Sequence, residues 1–379
     1  MRTPYRLSLL LLSFALSAAH AGPGYPEYRV TVVGPANSYA NDINAAGVVV
    51  GTYYLGAPGS SPSRGFVNRG NGLSTLGTLG GGSSTAAAIN DKGQILGNWT
   101  SANGRQRGYI YYQGRQRDIG AVSGVPANAR TTYTDINNAG YATAKVFLPQ
   151  SAGERSFLRT PGGQFRDLGS LSAAPATLNH ALAINNRKQV VGESGPLTFP
   201  DQPLRAFAWT AGVMRDLGDF GFTPNGAEAI NERGQVTGYM SLPEGFRDRV
   251  AFVYSNGRLI NIDGRGPVAG RSSTGTGINN HGHVVGASDH LSGFIWRGRR
   301  MESLNALIDR RLGWDIYSPQ AINDAGQIAA NAYRNGVQYA VRLDLIRPHG
   351  LAAPVLDAVE GEDAVAAAQA REVSTPVRQ

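Results

Sequence analysis

The chain has 379 residues, no cysteine and a formal charge of +8. Without cysteine there is neither a disulfide framework nor a thiolate metal site, so stability has to come from a buried core. The positive charge is nearly all arginine, dispersed without a basic cluster, which disfavours nucleic acid and leaves anionic partners of other kinds.

The first 21 residues read as an export signal. Arg2 and Arg6 precede an apolar run over residues 7–16, and Ala19-His20-Ala21 is a small-x-small cleavage site. No later stretch reaches the ~18 apolar residues of a membrane span. A secreted, extracellular or periplasmic location is expected, with the mature chain starting at Gly22.

From residue 28 onward one phrase recurs. It is clearest at residues 88–97, Ala-Ile-Asn-Asp-Lys-Gly-Gln-Ile-Leu-Gly, and its asparagine falls at Asn44, Asn90, Asn137, Asn185, Asn231, Asn279 and Asn323. Intervals of 44–48 residues over seven copies mark a repeat architecture. Each period holds four short strand-like runs. In the second copy these are residues 85–90, 94–99, 108–112 and 117–120, parted by turn residues. No run keeps a helical period long enough for a helical solenoid.

The fourth run has only six copies. The seventh is missing after residue 343, whereas residues 28–33 have the right character and offset from Asn44 to supply it. The reading is an all-β, seven-bladed β-propeller of four-stranded blades over residues 22–346, closed by the N-terminal strand joining the last blade, residues 318–343. An open β-solenoid, with repeats of roughly 20–30 residues, fits this less well. Residues 347–379 lose the strand pattern and read as a flexible tail.

First runs such as Ala86-Ala87-Ala88 and Ala181-Leu182-Ala183 are the poorest in bulk. They belong at the crowded axis, which puts the Arg-Asp-rich fourth runs at the periphery. The Asn-x-x-Gly and third-to-fourth connections are then tight and share one face. Long, irregular connections share the other, and variable loops on a rigid scaffold are the usual place for binding.

Residues 73–97 read Leu-Ser-Thr-Leu-Gly-Thr-Leu-Gly-Gly-Gly-Ser-Ser-Thr-Ala-Ala-Ala-Ile-Asn-Asp-Lys-Gly-Gln-Ile-Leu-Gly, and Arg205-Ala206-Phe207-Ala208-Trp209 leads to Met214-Arg215-Asp216-Leu217-Gly218. This wording resembles the HAF-type extracellular repeat of bacterial secreted proteins over about residues 28–345, with Arg205 where that family carries its eponymous His. The resemblance implies secretion and a repeat fold. It implies no reaction and no catalytic residues.

Arg64, Arg107, Arg155, Arg205 and, shifted by one, Arg249 each precede the aromatic of the third run. In a closed ring they would form a partial circle of guanidinium groups on the long-loop face, suited to carboxylate or phosphate ligands. Alternatively each pairs with a local Asp or covers apolar surface with its stem. His180 lies near the axis and joins the five arginines as a candidate ligand-binding residue. The pairs Arg117/Asp118, Arg166/Asp167 and Arg215/Asp216 read as charges that blunt outer edges. His281 and His283 flank a turn glycine without an evident third metal ligand, so no metal site is expected. No phosphate-cradling Gly loop, nucleophile elbow or calcium loop occurs, and no cofactor is expected.

The expected function is a monomeric binding module for an anionic glycan, an envelope component or a protein partner, at the long-loop face or channel mouth. A channel-centred hydrolase or lyase acting on glycans or phosphoesters would need titratable groups converging at the axis. The first runs offer mostly Ala, Thr and Gly there, apart from Glu228 and His180. A structural envelope or matrix protein would leave no pocket on either face.

Overall fold

The computed structural model describes residues 26–347, apart from 58, 60–61, 127, 150–152, 198–203, 219–223, 242–247 and 265–271. The expected leader, the tail beyond Arg347 and parts of the long loops lie outside the described residues. Seven four-stranded antiparallel sheets form a β-propeller. Blades 1 to 6 each take four consecutive strands. Blade 2 is typical, with Ser83–Ile89, Ile95–Thr100, Gln106–Tyr112 and Arg115–Gly120 in order from the axis outward. Blade 7 takes Trp314–Ile322, Ile328–Arg334 and Val337–Leu345, and its outermost strand is Tyr28–Ala36 from the other end of the chain.

That closing pair is in register from Tyr28 opposite Leu345 to Val32 opposite Val341. The inner strand of blade 7 begins at Trp314 rather than at Ser318. The long connection before it winds into a one-turn helix, Leu304–Leu307, and a 3-10 turn, Arg310–Leu312, where Leu304 buries against Ile316. No described helix is long and apolar enough to cross a membrane.

Apolar residues form one cluster at each of the seven junctions between blades. Val50, Val67 and Leu76 of blade 1, for example, meet Ile89, Ile95, Trp99 and Tyr109 of blade 2. A second-strand glycine makes room for this packing. A Cβ on Gly97 would overlap the Thr85 carbonyl and the Tyr109 ring, because the inner strand bulges between Ala86 and Ala88 and brings its backbone close.

The recurrent asparagines do more than shape a turn. Asn90 Oδ1 accepts the Gln94 amide at 3.0 Å, while Asn90 Nδ2 donates to Gln94 Oε1 at 2.8 Å and to the Asn137 carbonyl of the next blade at 2.9 Å. The link to the next blade repeats without a gap. Asn44, Asn90, Asn137, Asn185, Asn231, Asn279 and Asn323 each donate to the carbonyl of the following one, and Asn323 returns to Asn44, at 2.8–3.2 Å throughout. All seven are buried.

The residue after each asparagine builds a second, more exposed circuit. Ala45 N donates to Asp91, Asp91 N to Asn138, Asn138 N to Asn186, Asn186 N to Glu232, Glu232 N to Asn280 and Asn280 N to Asp324, at 2.7–3.0 Å for the shorter contacts. The seventh link, from Asp324 N, is lacking because Ala45 has no side-chain oxygen.

Replacing Asn231 by Ala strands buried donors and acceptors in two blades and should cost at least about 1–3 kcal/mol in equilibrium denaturation. A loss well under 1 kcal/mol would mean that the circuit contributes little. Ala45→Asn should complete the outer circuit and raise stability by up to about 1 kcal/mol, the exposed setting limiting the gain.

Candidate functional site

The inner strands line an axial channel whose wall is layered. Nearest the tight-turn face stand isoleucines of the repeat, with Ile43, Ile230, Ile278 and Ile322 between the channel and a shallow mouth of about 190 Å³. Above them the wall carries Asp42, Ala88, Asp135, Ala183, Ala229, Gly277 and Ala321. Asp42 and Asp135 thus stand where the other copies have only Ala or Gly. Each carboxylate spans two blades. Asp42 accepts the amides of Ile43 and of Ile89 in the next blade, and Asp135 those of Ile136 and Ile184, at 2.7–2.8 Å.

Burial, with the charge of Asp135 added, lifts the Asp42 carboxyl to about 8 against the pull of its amide donors. Burial carries Asp135 to about 6 against its own donors.

On the long-loop side the channel widens into a basin of about 770 Å³. Six of the seven blades contribute to it, among them Tyr39, Asn41 and Tyr54 of blade 1, Lys145 of blade 3, Glu228 of blade 5 and Tyr317, Gln320 and Asn331 of blade 7. Glu228 lines both basin and channel. Burial, and then the charge of Glu193, push its carboxyl up to about 7.

From the blade of Lys145 through the next two blades runs a bonded chain of polar side chains. His180 lies between Glu154 and Glu193, with Nε2 2.6 Å from Glu154 Oε2 and Nδ1 2.8 Å from Glu193 Oε1. Tyr239 donates its hydroxyl to Glu193 at 2.7 Å, and the Arg249 guanidinium sits 4.0 Å over the Tyr239 ring. Blade 5 has Gly226 at this level because a Cβ would come within 2.8 Å of Glu193 Oε2 and 2.7 Å of the Tyr239 ring. Burial works against the imidazolium, yet the two carboxylates outweigh it and carry His180 up to about 9.

The five arginines do not make a free circle of guanidinium groups. Arg107 pairs with Asp118 at 2.6 Å, Arg205 with Asp216 at 2.7 Å, and Arg155 with Asp167. The outer-strand register sets those aspartates opposite Tyr109, Phe157 and Phe207, two residues beyond each arginine and within its reach. Arg64 donates instead to the carbonyls of Ser63 and Gly82 at 2.8 and 2.9 Å. Only Arg249 joins His180, in the rim network. The aspartates of the Arg-Asp dipeptides therefore hold third-strand arginines, not their own neighbours.

His283 is buried in the turn of blade 6, its ring 5.8 Å from that of His281. No group of three or more His, Cys, Asp and Glu side chains suited to a metal occurs among the described residues.

Glu154, Glu193, Tyr239, Lys145, Asp42 and Asp135 were not legible as site residues from the motif alone. Alignment of the copies holds a signal for some of them. The residue after the second-strand Gly or Ala is Thr52, Asn98, Lys145, Glu193, Tyr239, Ala287 or Asn331, all at one level of the sheets.

No family model matches the sequence, and no curated protein sequence matches it. Among solved structures the chain is similar to YCF48 bound to D1 peptide, with 11% identity, 84% of this chain and 96% of that one covered, and a TM-score of 0.49. It is also similar to AofleA from Arthrobotrys oligospora, with 12% identity, 74% and 89% covered, and a TM-score of 0.41. For TolB from Acinetobacter baumannii the figures are 9%, 74% and 61%, and 0.40.

The raised groups give a signed pH dependence. In the folded protein His180 keeps its proton to about pH 9, whereas unfolded it loses it near ~6.5, so its contribution is full below ~6.5 and is lost as pH rises through 9. Asp42 contributes fully below its unfolded value of ~3.9, and that contribution is gone by about pH 8. The melting temperature should therefore fall from pH 6.5 to 9, and in His180→Gln the part of the fall above pH 8 should flatten. Melts at constant ionic strength read this directly, and an unchanged slope above pH 8 in the variant would remove His180 from the explanation.

Proposed function

We propose that the chain is an exported binding module whose ligand docks in the basin at the long-loop mouth of the channel. The basin itself carries this reading. It is open to one face, its volume of about 770 Å³ lies within the range of ~300–1,000 Å³ usual for ligand sites, and five of the six contributing blades supply polar or aromatic side chains to it. Export is supported by the leader-like residues 1–21 and by the resemblance of the repeat to extracellular proteins.

The hydrolase or lyase alternative has less support. Both oxygens of Asp42 and of Asp135 accept backbone amides, and His180 is engaged on both ring nitrogens. Of the carboxyl and imidazole groups described at the channel, that leaves Glu228 without a second one to share acid and base roles.

The absence of cysteine makes the site testable by blockade. A single Thr132→Cys, in the basin wall, or Lys92→Cys, exposed on the tight-turn face, gives one labelling point each. The probe is an array of neutral glycans, acidic glycans and peptides, with each variant carrying a bulky maleimide polymer. Binding lost with the Thr132→Cys label and kept with the Lys92→Cys label is the expected result. Binding that persists with the basin label would overturn the location.

A further inference from the structure

We propose that the occupant of this basin is a neutral, hydroxyl-rich glycan chain, its ring faces laid on a track of tyrosines; this rests on the basin being the binding site. The track crosses from blade 1 to blade 7. Tyr54 meets Tyr39 edge-on with centroids 5.7 Å apart, and Tyr317 stacks on Tyr333 at 4.8 Å. Tyr39 and Tyr317 stand on the inner strands of neighbouring blades, so the two pairs border one space. Tyr39, Tyr54 and Tyr317 line the basin, and Tyr333 is 41% exposed beside it. Sugar rings present C–H groups on their faces, and these suit the electron-rich faces of aromatic rings.

The polar lining complements hydroxyls and leaves specific atoms for them. Asn41 donates through Nδ2 to the Ala86 carbonyl at 2.6 Å and to Thr52, and its Oδ1 accepts no bond among the described residues. Gln320 folds its Nε2 onto Ser318, 2.7 Å from the hydroxyl, with Oε1 likewise left over. Asn331 uses Oδ1 on the Ala40 amide at 2.8 Å and has its NH₂ to spare. Two acceptors and an amide donor facing one space can serve hydroxyl groups, each of which both donates and accepts.

Charge decides against an acidic chain. The basin lining carries one cation, Lys145, balanced by Glu228. Deeper in the channel the titratable groups are all carboxyls, those of Asp42, Asp135 and Glu228. Arg107, Arg155 and Arg205 are held by Asp118, Asp167 and Asp216, Arg64 is bound to backbone carbonyls, and Arg249 lies over the Tyr239 ring. A carboxylate or sulfate entering here would find no arginine among the lining residues and only the Lys145 ammonium, with Glu228 in the same wall, as a cationic partner.

The same array tests the class. Expected is binding to neutral oligosaccharides that changes less than about twofold between low and high salt, since no ion pair is involved. Tyr39→Ala and Tyr317→Ala should each weaken it by about tenfold, or ~1.4 kcal/mol, and Arg107→Ala should leave it unchanged. Gln320→Ala, whose lost side-chain bonds reach only Ser318 and Pro319 of its own strand, should also weaken it, and keeps the test valid if a tyrosine variant fails to melt cooperatively. Binding to acidic glycans or peptides that the Thr132→Cys label blocks would overturn the neutral-glycan class and leave the basin standing as the site. Neutral-glycan binding indifferent to these substitutions and to the label would overturn both, and no binding to any neutral glycan by the folded protein would overturn the class.

Discussion

Seven asparagine side chains, each spending its amide and carbonyl on two blades at once, are the constraint on which the rest of the molecule depends. An asparagine has two N–H donors and one acceptor oxygen with two lone pairs. Here Oδ1 closes the local turn by accepting the amide of the fourth following residue, and in five copies that of the second as well, and one N–H reaches the next blade. In blades 2, 4, 5 and 7 the remaining N–H goes to the glutamine at the end of the turn. No other side chain combines that reach with that donor and acceptor set. Aspartate lacks the donors, serine lacks the second donor, and glutamine is longer by a carbon. Because the turn and the blade-to-blade bond use the same group, the shape of a blade and its angle to the next are set together.

This explains why so much of the architecture is written openly in the chain. The asparagine spacing gives the blade count, and the orphaned run at residues 28–33 gives the closure, since a propeller with a three-stranded last blade would expose an unpaired edge. Small first runs mark the axis because backbones converge there, and the second-strand glycine marks the bulge. Local exceptions are absorbed. Blade 4 has Lys188 where the others have the turn glycine, and the residue takes the left-handed conformation at φ 60° while its ammonium lies 5.1 Å over the Tyr141 ring. The inner strand of blade 7 was harder to bound, because its opening residues Trp314–Tyr317 depart from the repeat wording and are fixed by packing instead.

The site was far less legible, for a physical reason. A repeat motif reports what every blade must share, whereas a binding surface is made of what single blades do differently. Glu193 and Tyr239 occupy the same level in neighbouring blades, but only the ring geometry reveals that Gly226 leaves the space in which they meet. The arginines mislead in the opposite direction. Their regular spacing suggests a shared ligand, yet regularity here reflects a shared structural duty, the pairing of a third-strand arginine with an outer-strand aspartate. Asp42 and Asp135 are similar in kind, extra staples between blades in the layer where other copies have alanine or glycine.

Tyr28–Ala36 lies beside Val337–Leu345, so the first described strand pairs with the last. This has a temporal consequence. Chain synthesis proceeds from the N-terminus, and each of blades 1 to 6 can pair its four strands as soon as they are available. Their outermost strands need nothing further along the chain than their own blade. The opening strand, by contrast, must wait until Val337–Leu345 exists, and until then both flanks of the growing arc present uncovered apolar sheet faces. The ring is therefore all or nothing with respect to length. A chain cut short at any internal repeat keeps well-formed blades but has no way to finish, and it carries two open apolar faces ready to pack against another copy.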